Sequence, residues 1–168
     1  MEIKNVQLIQ IQWEGPFTIE NLPSLANSKI DYGIYQVYGR HFIYGHDVLL
    51  YIGQANQQTL GTRITQQSYW FEEGYSIYIG RLGGSNTPSE DIWHDEIDCA
   101  ERLLINIHTP PYNSSNINSL NWEKLEHVHI LNFGNYRSLL PEISGLRWLT
   151  KNYGVDSGIY RLEDPLSD

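Results

Sequence analysis

Apolar residues recur along this chain in two rhythms, one near two residues and one near four. Leu8, Ile9, Ile11 and Trp13 alternate in part with polar neighbours, which predicts an opening strand from Val6 to Trp13, ended by the turn Glu14-Gly15-Pro16. Between Phe17 and Asn27 there is room for no more than a helical turn. A β-branched and aromatic strand is expected from Gly33 to Val37. Tyr38 to Asp47, with two glycines and two histidines, predicts a wide hairpin loop. Val48 to Gly53 is almost wholly apolar and is expected to be buried on both faces, near the centre of a sheet.

The slower rhythm begins after a polar loop at Gln54 to Thr59. A short helix is predicted over Leu60 to Gln67 despite Gly61, then a third strand from Ser76 to Leu82. Thr87-Pro88-Ser89-Glu90 combines an N-cap, proline at the first helical position and glutamate at the third, a capping box. Trp93, Ile97, Ala100, Leu104 and Ile107 follow at helical spacing as one buried stripe, and Pro110-Pro111 ends the helix. Glu101 stands about 40° around that helix from Ile97. It borders the buried face and can reach the sheet, unlike Asp91, Asp95 or Asp98. Beyond Ser114 the pattern predicts a polar loop to Asn121, a strand over Val128 to Phe133, a helix over Leu139 to Lys151 and a frayed acidic end.

Composition narrows the class. Of 168 residues 40% are apolar and 12% aromatic, which fits one folded domain over 1–168 and argues against disorder. No run is long enough to span a membrane, the amino terminus lacks a signal-peptide pattern, and the single cysteine, Cys99, points to a reducing cytoplasm. Cys99 reads as a small core residue. Eleven basic residues against 20 acidic ones leave a net charge of −9, and no basic run exists. A strong non-specific grip on nucleic acid is therefore not expected. The six histidines lack the spacing of a structural zinc site; His127 and His129, two apart on one strand face, are a weak metal candidate.

Candidate chemistry comes from five ordered positions. Gly33-Ile34-Tyr35 and Tyr51-Ile52-Gly53 lie in two predicted strands, and Arg63, Glu101 and Asn113 follow in order. This series resembles the GIY-YIG nuclease family over roughly residues 31–113, with 114–168 as an extension. Repeats of the triplets, Tyr78-Ile79-Gly80 and Gly158-Ile159-Tyr160, have no partner at hairpin distance and read as a strand end and a chance match. The resemblance implies an α+β fold: a small, mostly antiparallel sheet flanked by helices, here with an N-terminal strand and a C-terminal strand–helix extension.

The resemblance also implies a Mg²⁺- or Mn²⁺-dependent endonuclease acting on DNA, its five residues gathered on one concave face. Glu101 would be the metal ligand and Arg63 the phosphate clamp. Tyr51 would accept or relay the proton of the attacking water, if metal and arginine lower its pKa. Tyr35 and Asn113 would position the groups. The family commonly has histidine or tyrosine four residues after the arginine; this chain has Gln67, with Tyr69 as a possible substitute. The acidic charge and Gln67 keep a second class open: a weak or inactive member serving as a nucleic-acid-binding or protein-interaction module. A homodimer, or a partner protein that supplies targeting, also remains open.

Overall fold

The computed structural model describes residues 6–83, 90–117 and 122–145. The chain is α+β: a six-stranded, mixed but mostly antiparallel sheet, curled into a half-barrel, with two main helices. Its strands are β1 (Gln7–Phe17), β2 (Gly33–His41), β3 (Gly45–Ala55), β4 (Ser76–Gly83), β5 (Val128–Gly134) and β6 (Glu142–Ser144). They lie in the order β3-β2-β4-β1-β5-β6, and only the β1–β5 pair is parallel. The helices are α1 (Leu60–Gln67), α2 (Glu90–His108) and a short α3 (Trp122–Leu125). No helix among the described residues is long and apolar enough to cross a membrane.

Alternation along the strands assigns one apolar set to each helix. Ile9, Ile11, Trp13, Ile34 and Ile52 pack with Ile97, Ala100, Leu103 and Leu104 of α2. Tyr35, Val37, Ile77 and Ile79 face the other way, onto Leu60 and Ile64 of α1 and onto Leu22 and Leu25. Leu22 belongs to a 3-10 turn, Ile19–Ser24, in the span with room for one turn. Each such aliphatic side chain contributes about 1.5–3 kcal/mol by its burial. Cys99 is buried, as a core residue should be.

Several sequence expectations need correction. β3 is the edge strand; the central strand of the triplet pair is β2, buried from Gly33 to Gly39. The apolar run in β3 is covered by α2 on one face and by Tyr35 and its aromatic neighbours on the other, which mimics the composition of a central strand. The hairpin loop is short, because pairing continues to His41↔Gly45 through two register shifts and leaves only Phe42-Ile43-Tyr44 unpaired. β1 likewise runs past Glu14-Gly15-Pro16 to Phe17, absorbing the glycine and proline in an irregularity. Tyr78-Ile79-Gly80 lies inside β4, paired on both sides.

Residues 142–144 form β6 against β5 where a helix over 139–151 was expected; 139–141 lead into that strand without helical structure, and 146–151 lie outside the described residues. So do Thr87 to Ser89 of the capping box, Gly158-Ile159-Tyr160 and the acidic end. β5 and β6, from the extension, join the same sheet as the 31–113 segment.

Candidate active site at the free edge of β3

Tyr35 and Tyr51 sit on neighbouring strands with Tyr35↔Gly53 and Val37↔Tyr51 in register, so both rings project from the α1 face. Their centroids are 6.0 Å apart. Gly53 makes that approach possible: a Cβ there would lie 2.5 Å from Tyr35 Cζ and Oη and 2.7 Å from Tyr51 Cε1. The first glycine is fixed by shape as well. Gly33 has φ +145°, and a side chain would strike the Gly80 carbonyl oxygen. The glycines of both triplets are thus packing requirements of the hairpin.

The Tyr35 hydroxyl is buried without a well-formed hydrogen bond, and the Tyr51 phenol is the polar neighbour of most consequence for its pKa. Burial raises its pKa far above the usual phenol range, and Tyr51 and Glu101 add to the shift against Arg63. Tyr51 is raised too, first by burial and then by Glu101, with Arg63 only partly offsetting them. Arg63 alone therefore does not lower the Tyr51 phenol; the lowering expected there depends on metal and arginine together.

Arg63 is half-buried on α1, a helix capped by Thr59, whose hydroxyl accepts from the Thr62 amide. Its guanidinium forms no hydrogen bond or ion pair among the described residues, yet it lies within electrostatic reach of Tyr35, Tyr51 and Glu101. Glu101 comes from α2, on the opposite face, and meets the sheet at Gln54, one residue past the second triplet. Gln54 Nε2 donates to Glu101 Oε2 at 2.9 Å. Burial, followed by the charge of Asp98, pushes the Glu101 carboxyl up to about 7, while Arg102, Arg63 and Gln54 pull it down. The expected single concave face is thus replaced by an edge: two phenols and an arginine from one side of β3, a carboxylate from the other.

Asn113 is buried and holds that edge. Its Oδ1 accepts from Ile52 N at 3.0 Å and its Nδ2 donates to Ile52 O at 2.8 Å. Both ends of the amide bond Ile52, so Asn113 positions β3. Thr109, at φ 44°, and Pro110-Pro111 turn the chain out of α2 so that the Tyr112 amide donates to Leu50 O at 3.0 Å.

Sequence reasoning missed Gln54 and excluded Asp98. Gln54 Nε2 also donates to Asp98 Oδ1 at 3.3 Å, so both carboxylates meet one amide; Arg102 takes the other Asp98 oxygen at 3.0 Å. Asp98 precedes Glu101 by one helical turn, a spacing that places side chains together. Gln67 ends α1 half-buried, whereas Tyr69 is 84% exposed. His127 and His129 pair separately with Glu126 and Glu142, which removes the reason to read them as one metal pair.

Compared with family models, with curated proteins and with solved structures, the chain gives no match in any of the three.

Among the described residues no three histidine, cysteine or acidic side chains gather in one place. The donor set at Gln54 nonetheless suits a hard divalent cation, which needs few protein ligands when water and phosphate fill the rest. Glu101 and Asp98 offer carboxylate oxygens, and Gln54 Oε1 is buried without a partner.

Proposed function

We propose that this chain is a divalent-metal-dependent endonuclease of GIY-YIG type that hydrolyses DNA phosphodiester bonds, with its site at the free edge of β3. The observation that carries this is an arginine with no partner among the described residues, set within electrostatic reach of a half-buried carboxylate and two phenols. Folded proteins pair or hydrogen-bond such groups unless a ligand completes them.

Each group has a task that its chemistry permits. Arg63 clamps the scissile phosphate with a permanently charged, bidentate guanidinium. Glu101, with Asp98 beside it, would hold Mg²⁺ or Mn²⁺, which supplies charge neutralisation at the phosphoryl oxygens. Tyr35, buried beside Tyr51, positions that phenol at the edge of the site. Tyr51 Oη orients the attacking water, and its proton can leave only when added positive charge lowers the phenol. Asn113 keeps β3, and with it Tyr51, in register. Gln67 can hydrogen-bond but cannot take up a proton. A metal-dependent plasmid-nicking assay tests the proposal.

The net charge of −9 favours one second reading, a weak or inactive domain that binds nucleic acid or protein without cutting. Under that reading Arg63→Ala changes binding only, and no divalent ion supports cleavage.

A further inference from the structure

A continuous series of rings leaves the site along the outside of β3. Tyr51 meets Trp70 edge-on at 5.7 Å, Trp70 meets Tyr112 at 5.5 Å, and Tyr112 meets His41 at 5.7 Å. His41 stacks on Tyr44 at 4.6 Å and 20° between planes. Tyr51, Trp70 and His41 are half-buried, while Tyr112 is 44% and Tyr44 65% exposed. Phe42, at the hairpin tip, is 98% exposed. A ring so exposed adds little to the fold, so burial alone does not account for the tip.

The charges around this series separate nucleic acid from other partners. Of the five arginines among the described residues, Arg81, Arg102 and Arg137 are each tied to a carboxylate. Arg40 and Arg63 have no such partner among the described residues, and Arg63 stands at the inner end of the run, within electrostatic reach of Tyr51. A chain of net charge −9 cannot rely on phosphate attraction to hold duplex DNA. Stacking on aromatic rings carries no such electrostatic cost, and it requires bases that are not already stacked in a duplex.

We propose that the Tyr51–Tyr44 series and Phe42 form a platform for unpaired bases, with Arg63 taking a phosphate at its inner end. This rests on the nuclease reading and names its substrate class: DNA with a single-stranded or flapped segment beside the scissile bond. The hairpin tip would hold the unpaired strand while the edge of β3 receives the phosphate.

The test measures binding of labelled oligothymidylate and of a duplex of equal length in the presence of a chelator, so that nothing is cut. Native protein should bind the single strand more tightly than the duplex. Tyr44→Leu and Phe42→Leu should each weaken that binding by about tenfold, while Tyr44→Phe, which keeps the ring, stays near native. Both positions are exposed enough for the variants to fold, and circular dichroism checks this. Equal or tighter duplex binding, no oligonucleotide binding, or leucine variants within twofold of native would overturn the proposal; in the last two cases the exposed rings would suit a protein partner better. Adding Mg²⁺ to the same mixtures separates the two ideas. Metal-dependent cleavage with single-strand binding and cutting both untouched by Tyr44→Leu removes the platform and keeps the nuclease. Ring-dependent binding with no cleavage keeps the platform and removes the nuclease.

Discussion

The side-chain amide of Asn113 bonds both backbone polar groups of Ile52, accepting at 3.0 Å and donating at 2.8 Å. It stands in for a seventh strand at the open side of β3. Asn113→Ala leaves two buried peptide groups without partners and should cost about 2 kcal/mol or more in urea unfolding. Asn113→Asp should fail as well, because a carboxylate cannot donate to Ile52 O. Stability within about 0.5 kcal/mol of native for either variant would mean that the edge is held by something else.

Gly53→Ala tests the packing of the two phenols. The added methyl collides with Tyr35 Cζ and Oη at 2.5 Å, and neither ring can withdraw without disturbing Trp70 or the α1 core. A loss of about 1–3 kcal/mol is expected, with altered near-ultraviolet tyrosine dichroism. An unchanged aromatic signal in a stable Gly53→Ala protein would show that the rings are placed differently.

Much of this architecture was legible in the sequence, and the exceptions share causes. The 3.6-residue stripe of α2 and the bounds of α1 could be read because local periodicity decides them. The edge position of β3 could not, since strand order is a long-range property and aromatic cover makes an edge strand read like a central one. The hairpin and β1 were cut short at glycine and proline because turn residues can also be absorbed as irregularities within a strand. β6 was read as helix because three residues of strand lie inside an apolar pattern of mixed period. At the site, the ordered five residues led to the edge of β3. Asp98 was excluded by its helical angle, which ignores the reach of Gln54 from the facing strand.

Glu101 gives a pH signature. Its folded pKa of about 7 lies above the carboxyl value of 4.5, so between those values the folded protein binds more protons than the unfolded chain. Its stabilising effect is present in full below pH 4.5 and is lost as pH rises through about 7. Glu101→Gln removes this dependence. The variant should therefore gain stability relative to native between pH 5 and pH 8, and native protein should recover part of that difference when Mg²⁺ is added. A gap between the two proteins that does not change with pH would contradict a half-buried, proton-binding Glu101.

Arg63 separates turnover from binding. Its phosphate contact strengthens as negative charge develops, so Arg63→Ala should lower cleavage by about 100-fold or more. Ground-state DNA binding should fall far less, with a change of only about one in the logarithmic salt slope. Equal losses in binding and cleavage would make Arg63 a simple tether.

Plasmid nicking tests the central claim most directly, with native protein and Glu101→Ala compared in Mg²⁺, in Mn²⁺ and in chelator, on duplex and on single-stranded DNA. Native protein should cut at least one substrate only when a divalent ion is present, and folded Glu101→Ala should cut none. Native protein inactive on both substrates with both ions, or a folded Glu101→Ala protein that still cuts in a metal-dependent way, would contradict the assignment of this edge as a nuclease site.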